Sequence, residues 1–350
     1  MLVRNRVPIQ RVASFGIRVF SITSLLCNQS RLANPASSGG DKTVEHNIKS
    51  ETNRLSKTGS RFWDKGHVYR NEKTGRYEIQ LDGKTLRTPL GLPLTLPESK
   101  KQLAYLIAHE WMHLPKISLK SSALPLTGLA ARAIDLESRG NQNKAGNNGG
   151  EEMLAIEDLK LSMLKYLDTD TCLIFAGARD CDGKLRQRQE ELYRPLIKEY
   201  NDFFTTYGLS RNLLKENERI ELKFLDCEKD GLRGNKQSLK TQQVVIDWLD
   251  QLNIFEFIAL EKSILTTKSF LCAVSVLRSN VSDESRMKEV FQLNRDSNDL
   301  FWHKTVEEII ELGNLETILQ TGEWGEVEDT HDVEKRDWLR SLTSAALLSH

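Results

Sequence analysis

Period-two alternation of apolar and polar residues is confined to one short part of this chain, and that limits its fold. Tyr77, Ile79 and Leu81 alternate with polar residues, and Asp82-Gly83 signals a hairpin into Thr85-Leu86-Arg87-Thr88. Upstream, Phe62 and Trp63 open the extended run, and Val68 and Tyr69 precede a turn at Asn71-Glu-Lys-Thr-Gly75. Downstream, Pro89, Gly91 and Pro93 punctuate a loop before Leu94-Thr95-Leu96. From Pro97 the period becomes helical. Helices are predicted from Pro97 to before Pro115, over 126–136, and near 151–166, 184–206, 239–252, 254–267, 269–278, 283–294, 299–320 and 329–348. One extended stretch, Thr171 to Phe175, interrupts them. No repeat recurs at a fixed period. Strands first and helices after cannot build alternating βαβ units, so the order predicts an α+β fold. A small β-rich N-terminal domain over 61–138 is followed by a larger helical C-terminal domain over 151–350. Residues 139–150, RGNQNKAGNNGG, read as a flexible insertion between them.

Charge narrows the function classes. Lys plus Arg and Asp plus Glu are both 49, which argues against a general nucleic-acid binder. The balance is uneven along the chain. Residues 1–40 hold Arg4, Arg6, Arg11, Arg18 and Arg31, many serines, and no Lys, Asp or Glu. Arg11 and Arg18 share one helical face, and Val12, Phe15 and Val19 line another. This amphipathic, acid-free composition predicts a mitochondrial transit peptide over 1–40, followed by an unfolded lead-in over 41–60. No apolar run is long enough for a transmembrane helix, so no membrane insertion is expected. The five cysteines are scattered with no CxxC, which excludes a dense disulfide framework and a cysteine-type zinc site.

Two motifs suggest catalysis. His109-Glu110-Trp111-Met112-His113 matches HExxH on a predicted helix, with Glu110 in the place of a zinc peptidase's general base. Lys116 stands where the metzincin glycine belongs, and Glu137, the one third ligand on offer, precedes a Gly- and Asn-rich loop. The alternative is that Trp111 packs in a core with the histidines on its flanks. Asp168-Thr-Asp170-Thr has the letters of a phosphoryl-transfer nucleophile loop, but a helix precedes it where a buried parallel strand is required. The two carboxylates read better as ties that fix the turn after the helix. There is no GxxxxGK[ST], GxGxxG or GxSxG. No catalytic residue, metal or cofactor is therefore expected, with an HExxH metallopeptidase as the alternative.

A different kind of site lies near the C-terminus. Between Gly322 and Glu334 the acids are Glu323, Glu326, Glu328, Asp329, Asp332 and Glu334, with no Lys or Arg and with Trp324 among them. Such a run fits a basic patch on a protein partner, because charge steers association and tryptophan anchors interfaces. A solvated helix start enriched in acids is the competing reading. The apolar run from Val244 to Leu277 reads as the core of the helical domain.

Five stretches together carry a family resemblance. They are Arg61-Phe-Trp63, Tyr77-Glu-Ile-Gln-Leu-Asp-Gly-Lys-Thr-Leu-Arg-Thr-Pro89, Glu110-Trp111, Leu164-Lys-Tyr-Leu-Asp-Thr-Asp170, and Trp324-Gly-Glu-Val-Glu328 with His331-Asp332. In order and spacing they resemble the mitochondrial F1-ATPase assembly chaperones of the ATP12 type, over about 61–349. The resemblance implies an orthogonal helical bundle as the C-terminal domain and a place in the mitochondrial matrix. It implies binding of unassembled F1 α subunit, shielding of its β-facing interface, and release as the α3β3 hexamer forms, with no nucleotide. The protein would be monomeric when free. By the same resemblance Glu328 is the acidic residue expected to act, with Trp324, Glu326 and Asp332 as neighbouring candidates for partner binding. Trp111, Asp168 and Asp170 are structural candidates.

Overall fold

The structure is a computed structural model that describes residues 63–114, 123–144, 150–231, 234–293, 301–328 and 330–350. The expected leader and lead-in lie outside the described residues. Four strands come first: β1 (Gly66–Arg70), β2 (Tyr77–Leu81), β3 (Lys84–Thr85) and β4 (Thr95–Leu96). β2 is central. It pairs antiparallel with all of β1, Gly66 opposite Leu81 and Arg70 opposite Tyr77, and its other edge takes β3 and β4. The β2–β3 turn needs left-handed backbone, and Asp82 (φ 48°) and Gly83 (φ 80°) supply it. Tyr77, Ile79 and Leu81 are buried while their neighbours are half-exposed, so β2 turns one face to a core. Helix α1 (Lys101–Met112) packs on β1 and β2, burying Leu103, Ala104, Ile107, Ala108 and Trp111 at helical spacing.

The end of α1 forms a joint. Trp63 Nε1 donates to the Trp111 carbonyl at 3.2 Å, and the two indoles meet edge to face with centroids 5.1 Å apart. Trp111 Nε1 donates to Thr127 Oγ1 (3.0 Å), whose hydroxyl donates to Glu110 Oε2 (2.8 Å). Thr127 lies in the first turn of α2 (Pro125–Lys144). Pro125 takes the first helical position, where a missing N–H is no loss. The next two N–H groups, of Leu126 and Thr127, donate to the Glu110 carboxylate at 2.8 and 3.0 Å. A side chain of one helix thus caps the next. Burial raises the pKa of Glu110 in spite of these bonds.

The stretch expected as a flexible insertion over 139–150 is corrected in part. α2 continues through Lys144 and α3 (Gly150–Asp168) starts at Gly150. A helix already nucleated adds a hydrogen bond for each residue it fixes, so it runs on into polar sequence. The predicted extended piece at Thr171–Phe175 begins instead as a 3-10 turn, Thr171–Leu173. Asp170 takes the N–H of Cys172 at 2.8 Å and leaves only β5 (Ile174–Phe175) extended, paired parallel with β6 (Leu225–Asp226).

The remaining helices are α4 (Lys184–Ser210), the single turn α5 (Cys227–Asp230), α6 (Leu239–Asp250), α7 (Ile254–Thr267), α8 (Phe270–Asn280), α9 (Glu284–Glu289), α10 (Val306–Gly313), α11 (Leu315–Trp324) and α12 (His331–Ser349). Two predicted helices were too long. The one at 283–294 stops at Glu289, and Gln292 (φ 52°) then takes the left-handed region. The one at 299–320 is two helices, broken at Gly313-Asn314. A Cβ on Gly313 would meet Trp338 of α12 at 3.0 Å, so close packing selects a glycine there at the expense of helix propensity.

α8 is buried at every position from Phe270 to Arg278, enclosed by α3, α7, α10 and α12. Trp248 of α6 is ringed edge-on by Phe203, Phe204, Phe270 and Phe291, with centroids 6.1 to 6.3 Å away. Asp170, fully buried, holds the start of α8: Ser269 Oγ and the Leu271 N–H donate to it at 2.7 and 2.9 Å. Burial raises its pKa to about 6, against the pull of those donors. Asp168 ends α3 and accepts the Gln237 N–H at 2.8 Å. Beyond the strands the chain is mostly helical.

Lys100, 7% exposed, ties the strand region to the last helix. Its Nζ donates to the main-chain oxygens of Leu348, Ser349 and His350, each at 2.9 Å, which caps the C-terminal end of α12. Phe255 and the buried Glu256, bound to Arg286, flank it. Burial outweighs the attraction of Glu256 and pushes the Lys100 pKa from its ordinary 10.5 down to about 8.

Two outcomes follow. Trp111→Arg places a charge in the joint and should cost several kcal/mol, read as a large fall in melting temperature; a wild-type melt would remove Trp111 from the core. Lys100 binds its proton more weakly folded than unfolded, so its contribution to stability rises with pH between about 8 and 10.5. Urea unfolding at about pH 7.5 and about pH 9.5 should show a gain of about 2 kcal/mol for the wild type over Lys100→Met. Equal pH dependence in both proteins would contradict it.

Candidate docking surface

α11 ends at Trp324, and Gly325 (φ 88°) turns the chain away, its N–H donating to the Thr321 carbonyl at 2.9 Å. The chain reverses into α12. Val327 closes this turn. Its N–H donates to His331 Nδ1 at 2.9 Å, and its carbonyl accepts from the N–H groups of Thr330 and His331. His331 is therefore a turn residue, with Nδ1 as acceptor and the ring proton on Nε2.

The turn displays side chains outward. Trp324 is 73% exposed and Val327 60%, and the exposed Glu326 and Glu328 alternate with them. Glu323 is paired with Lys184 of α4 at 2.5 Å. Asp332, half-buried in the first turn of α12, has a buried carboxylate oxygen without a hydrogen-bond partner. Asp329 lies outside the described residues. The arrangement is an apolar anchor in an acidic rim. It matches a partner surface with an apolar recess bordered by Lys or Arg. Glu328 stands in the turn, ahead of α12, and helix-dipole stabilisation falls off outside the first helical turn.

Trp324, Glu326 and Glu328 thus lie exposed in one turn, and Asp332 lies half-buried in the first turn of α12. Trp111, Asp168 and Asp170 sit in the joints described above. The HExxH letters do not converge on a site. The rings of His109 and His113 stack with centroids 3.8 Å apart, and His113 Nδ1 faces the His109 carbonyl at 3.0 Å. Glu110 is engaged with the start of α2, and Glu137 lies exposed along that helix. Among the described residues no three His, Cys, Asp or Glu side chains are placed to share a metal ion. The sequence reading missed Val327, whose exposure depends on Gly325 and His331; the Gly after a helical run was its one available signal.

Comparison with known proteins gives a consistent answer. Residues 60–201 match the family model described as ATP12 chaperone protein. The chain is 38% identical over 316 residues to Protein ATP12, mitochondrial, of Saccharomyces cerevisiae, covering 88% of this chain and 89% of that protein. It is 30% identical over 289 residues to Protein atp12, mitochondrial, of Schizosaccharomyces pombe, covering 83% and 81%. Among solved structures, Atp12 from Paracoccus denitrificans has a similar fold, with a TM-score of 0.56 at 19% identity over 84% of this chain and 98% of that one. The chain belongs to the ATP12 family, the chaperones of ATP synthase assembly.

Proposed function

We propose that this chaperone binds unassembled F1 α subunit in the mitochondrial matrix, shields the interface meant for β, and hands α over as the α3β3 hexamer forms. It acts by binding rather than by catalysis, as a monomer when free, and needs no cofactor. The observation that carries the reading is Trp324, 73% exposed beside the exposed Val327 in a turn that also presents Glu326 and Glu328. Trp324 with the neighbouring Val327 offers an apolar anchor of the kind that interfaces bury. An unassembled subunit of a ring has the complementary problem, an exposed interface that aggregates until covered. Acidic residues around the anchor raise the encounter rate with a basic surface and exclude acidic ones. The peptidase reading of residues 109–113 is set aside because its general base, Glu110, holds the N-terminus of α2.

Glu328→Lys should leave the melting temperature nearly unchanged and lower co-precipitation of F1 α subunit on the order of tenfold, since like charges then meet. Normal capture of α by the variant would sink the docking assignment, and a lowered melt would make Glu328 a structural residue instead. Replacing His109 and His113 together by Gln should leave α capture intact, in purified protein without stoichiometric zinc. Failure of capture in a stably folded double variant would bring metal chemistry back.

A further inference from the structure

We infer that His331 is the positioning residue of the docking turn: its imidazole holds the main chain of Val327 against the start of α12, so that Val327 and its neighbours Glu326 and Glu328 meet the partner already in place. The inference rests on reading the α11–α12 turn as the docking site, and it concerns how that site is kept ordered. Val327 is bound to the start of α12 through both of its main-chain polar groups. Its carbonyl accepts from the N–H groups of Thr330 and His331 at 3.3 and 3.1 Å. Its N–H donates to His331 Nδ1 at 2.9 Å. The side chain is what remains of Val327 to face solvent, and it is 60% exposed.

The two sides of the turn are held by different means. The end of α11 is fixed by the Glu323–Lys184 ion pair at 2.5 Å and by the Gly325 N–H on the Thr321 carbonyl at 2.9 Å. At the start of α12, Thr330 stands in the cap position but its side chain makes no cap bond. Among the described residues, the His331 imidazole makes the one side-chain hydrogen bond from α12 into the turn. It reaches back four residues to a main-chain N–H, and so sets the course of the chain just ahead of the helix. A turn left loose would have to be ordered as the partner arrives, and that ordering is subtracted from affinity. The bond lies at the surface. In its absence water can take the Val327 N–H, so the fold as a whole loses little while the turn loses its fixed shape.

The chemistry of the acceptor separates this role from others that His331 could play. The Oδ1 of an asparagine stands at the same remove from Cβ as the Nδ1 of a histidine, and the Oε1 of a glutamine stands one bond further out. A residue whose part is to accept from Val327 is therefore replaceable by Asn, less well by Gln, and not by Leu. A ring that packs on the partner, or an imidazolium that pairs with it, is replaceable by none of these.

The test measures co-precipitation of F1 α subunit by the full chain, amide hydrogen exchange at Val327 and the melting temperature, with Glu328→Lys in parallel. His331→Leu should lower capture about fivefold, equivalent to about 1 kcal/mol, speed exchange at Val327, and leave the melting temperature unchanged. His331→Asn should restore both capture and protection of the Val327 amide, and His331→Gln should fall between. Wild-type capture by His331→Leu, with capture lost in Glu328→Lys, overturns the positioning role and leaves the docking reading standing. A wild-type protein that captures no α subunit overturns both. Unchanged exchange at Val327 in His331→Leu overturns the proposal. So does failure of His331→Asn to restore capture, because the ring or its charge would then be what the partner meets. If His331→Leu melts low, His331→Ala decides on the same criteria: wild-type capture or wild-type exchange at Val327 overturns the proposal.

Discussion

The structure turns on the bonds that Glu110 and Trp111 make at the end of α1. Two strands and two helices meet there, and each needs something the other supplies. The sheet needs an apolar cover, which α1 and the Trp63–Trp111 pair provide. α2 needs acceptors for its first free N–H groups, and Glu110 provides those. A cap from within α2 would satisfy the same N–H groups but leave its direction open. Taking the cap from α1 fixes the angle between them, and α2 then packs against both α7 and α12. The position of the helical core is in this way set from the strand region. Lys100 makes the return connection, from the turn before α1 to the end of α12.

Asp170 plays a comparable part inside the helical region. α8 is buried all round, so apolar packing alone does not set its rotation about its own axis. One buried carboxylate that accepts from Ser269 and Leu271 does. The cost of burial raises its pKa, and the donors at the helix start offset part of that cost. With α8 fixed, α12 packs against α7 and α8, and the turn before it displays Trp324 and Val327.

The parts legible in the sequence were those written in short-range pattern. The period-two residues Tyr77, Ile79 and Leu81, the Asp82-Gly83 turn and the helical runs are local signals, and the elements formed where they were expected. Boundaries were less legible. The break at Gly313 exists because Trp338, far along the chain, needs the space of a side chain. The overrun of α2 into residues 139–144 reflects propagation that composition does not report. The candidate site was half visible: the acids and Trp324 are contiguous in sequence, but the sequence did not report that Glu323 pairs with Lys184 or that Asp332 is half-buried. The HExxH letters misled because the same Glu that can polarise a water can also cap a helix, and only the fold says which.

The size of the anchor bears on how such a chaperone lets go. Burying a tryptophan removes roughly 150–250 Å² from water, which at about 25 cal/mol per Å² is on the order of 4–6 kcal/mol. Fixing two proteins together costs an estimated 4–15 kcal/mol. As the proposed anchor, Trp324 and Val327 alone would bring the association near balance and would not make it tight. The remainder has to come from charges spread over a long surface, and solvent-exposed charges lower the encounter barrier more than they deepen the well. That division suits a handover. In the proposed handover a subunit would be captured quickly, held with little excess affinity, and released once a larger and more apolar interface competes for the same surface. A deep apolar groove would bind more tightly and would make the chaperone an obstacle to the assembly it serves.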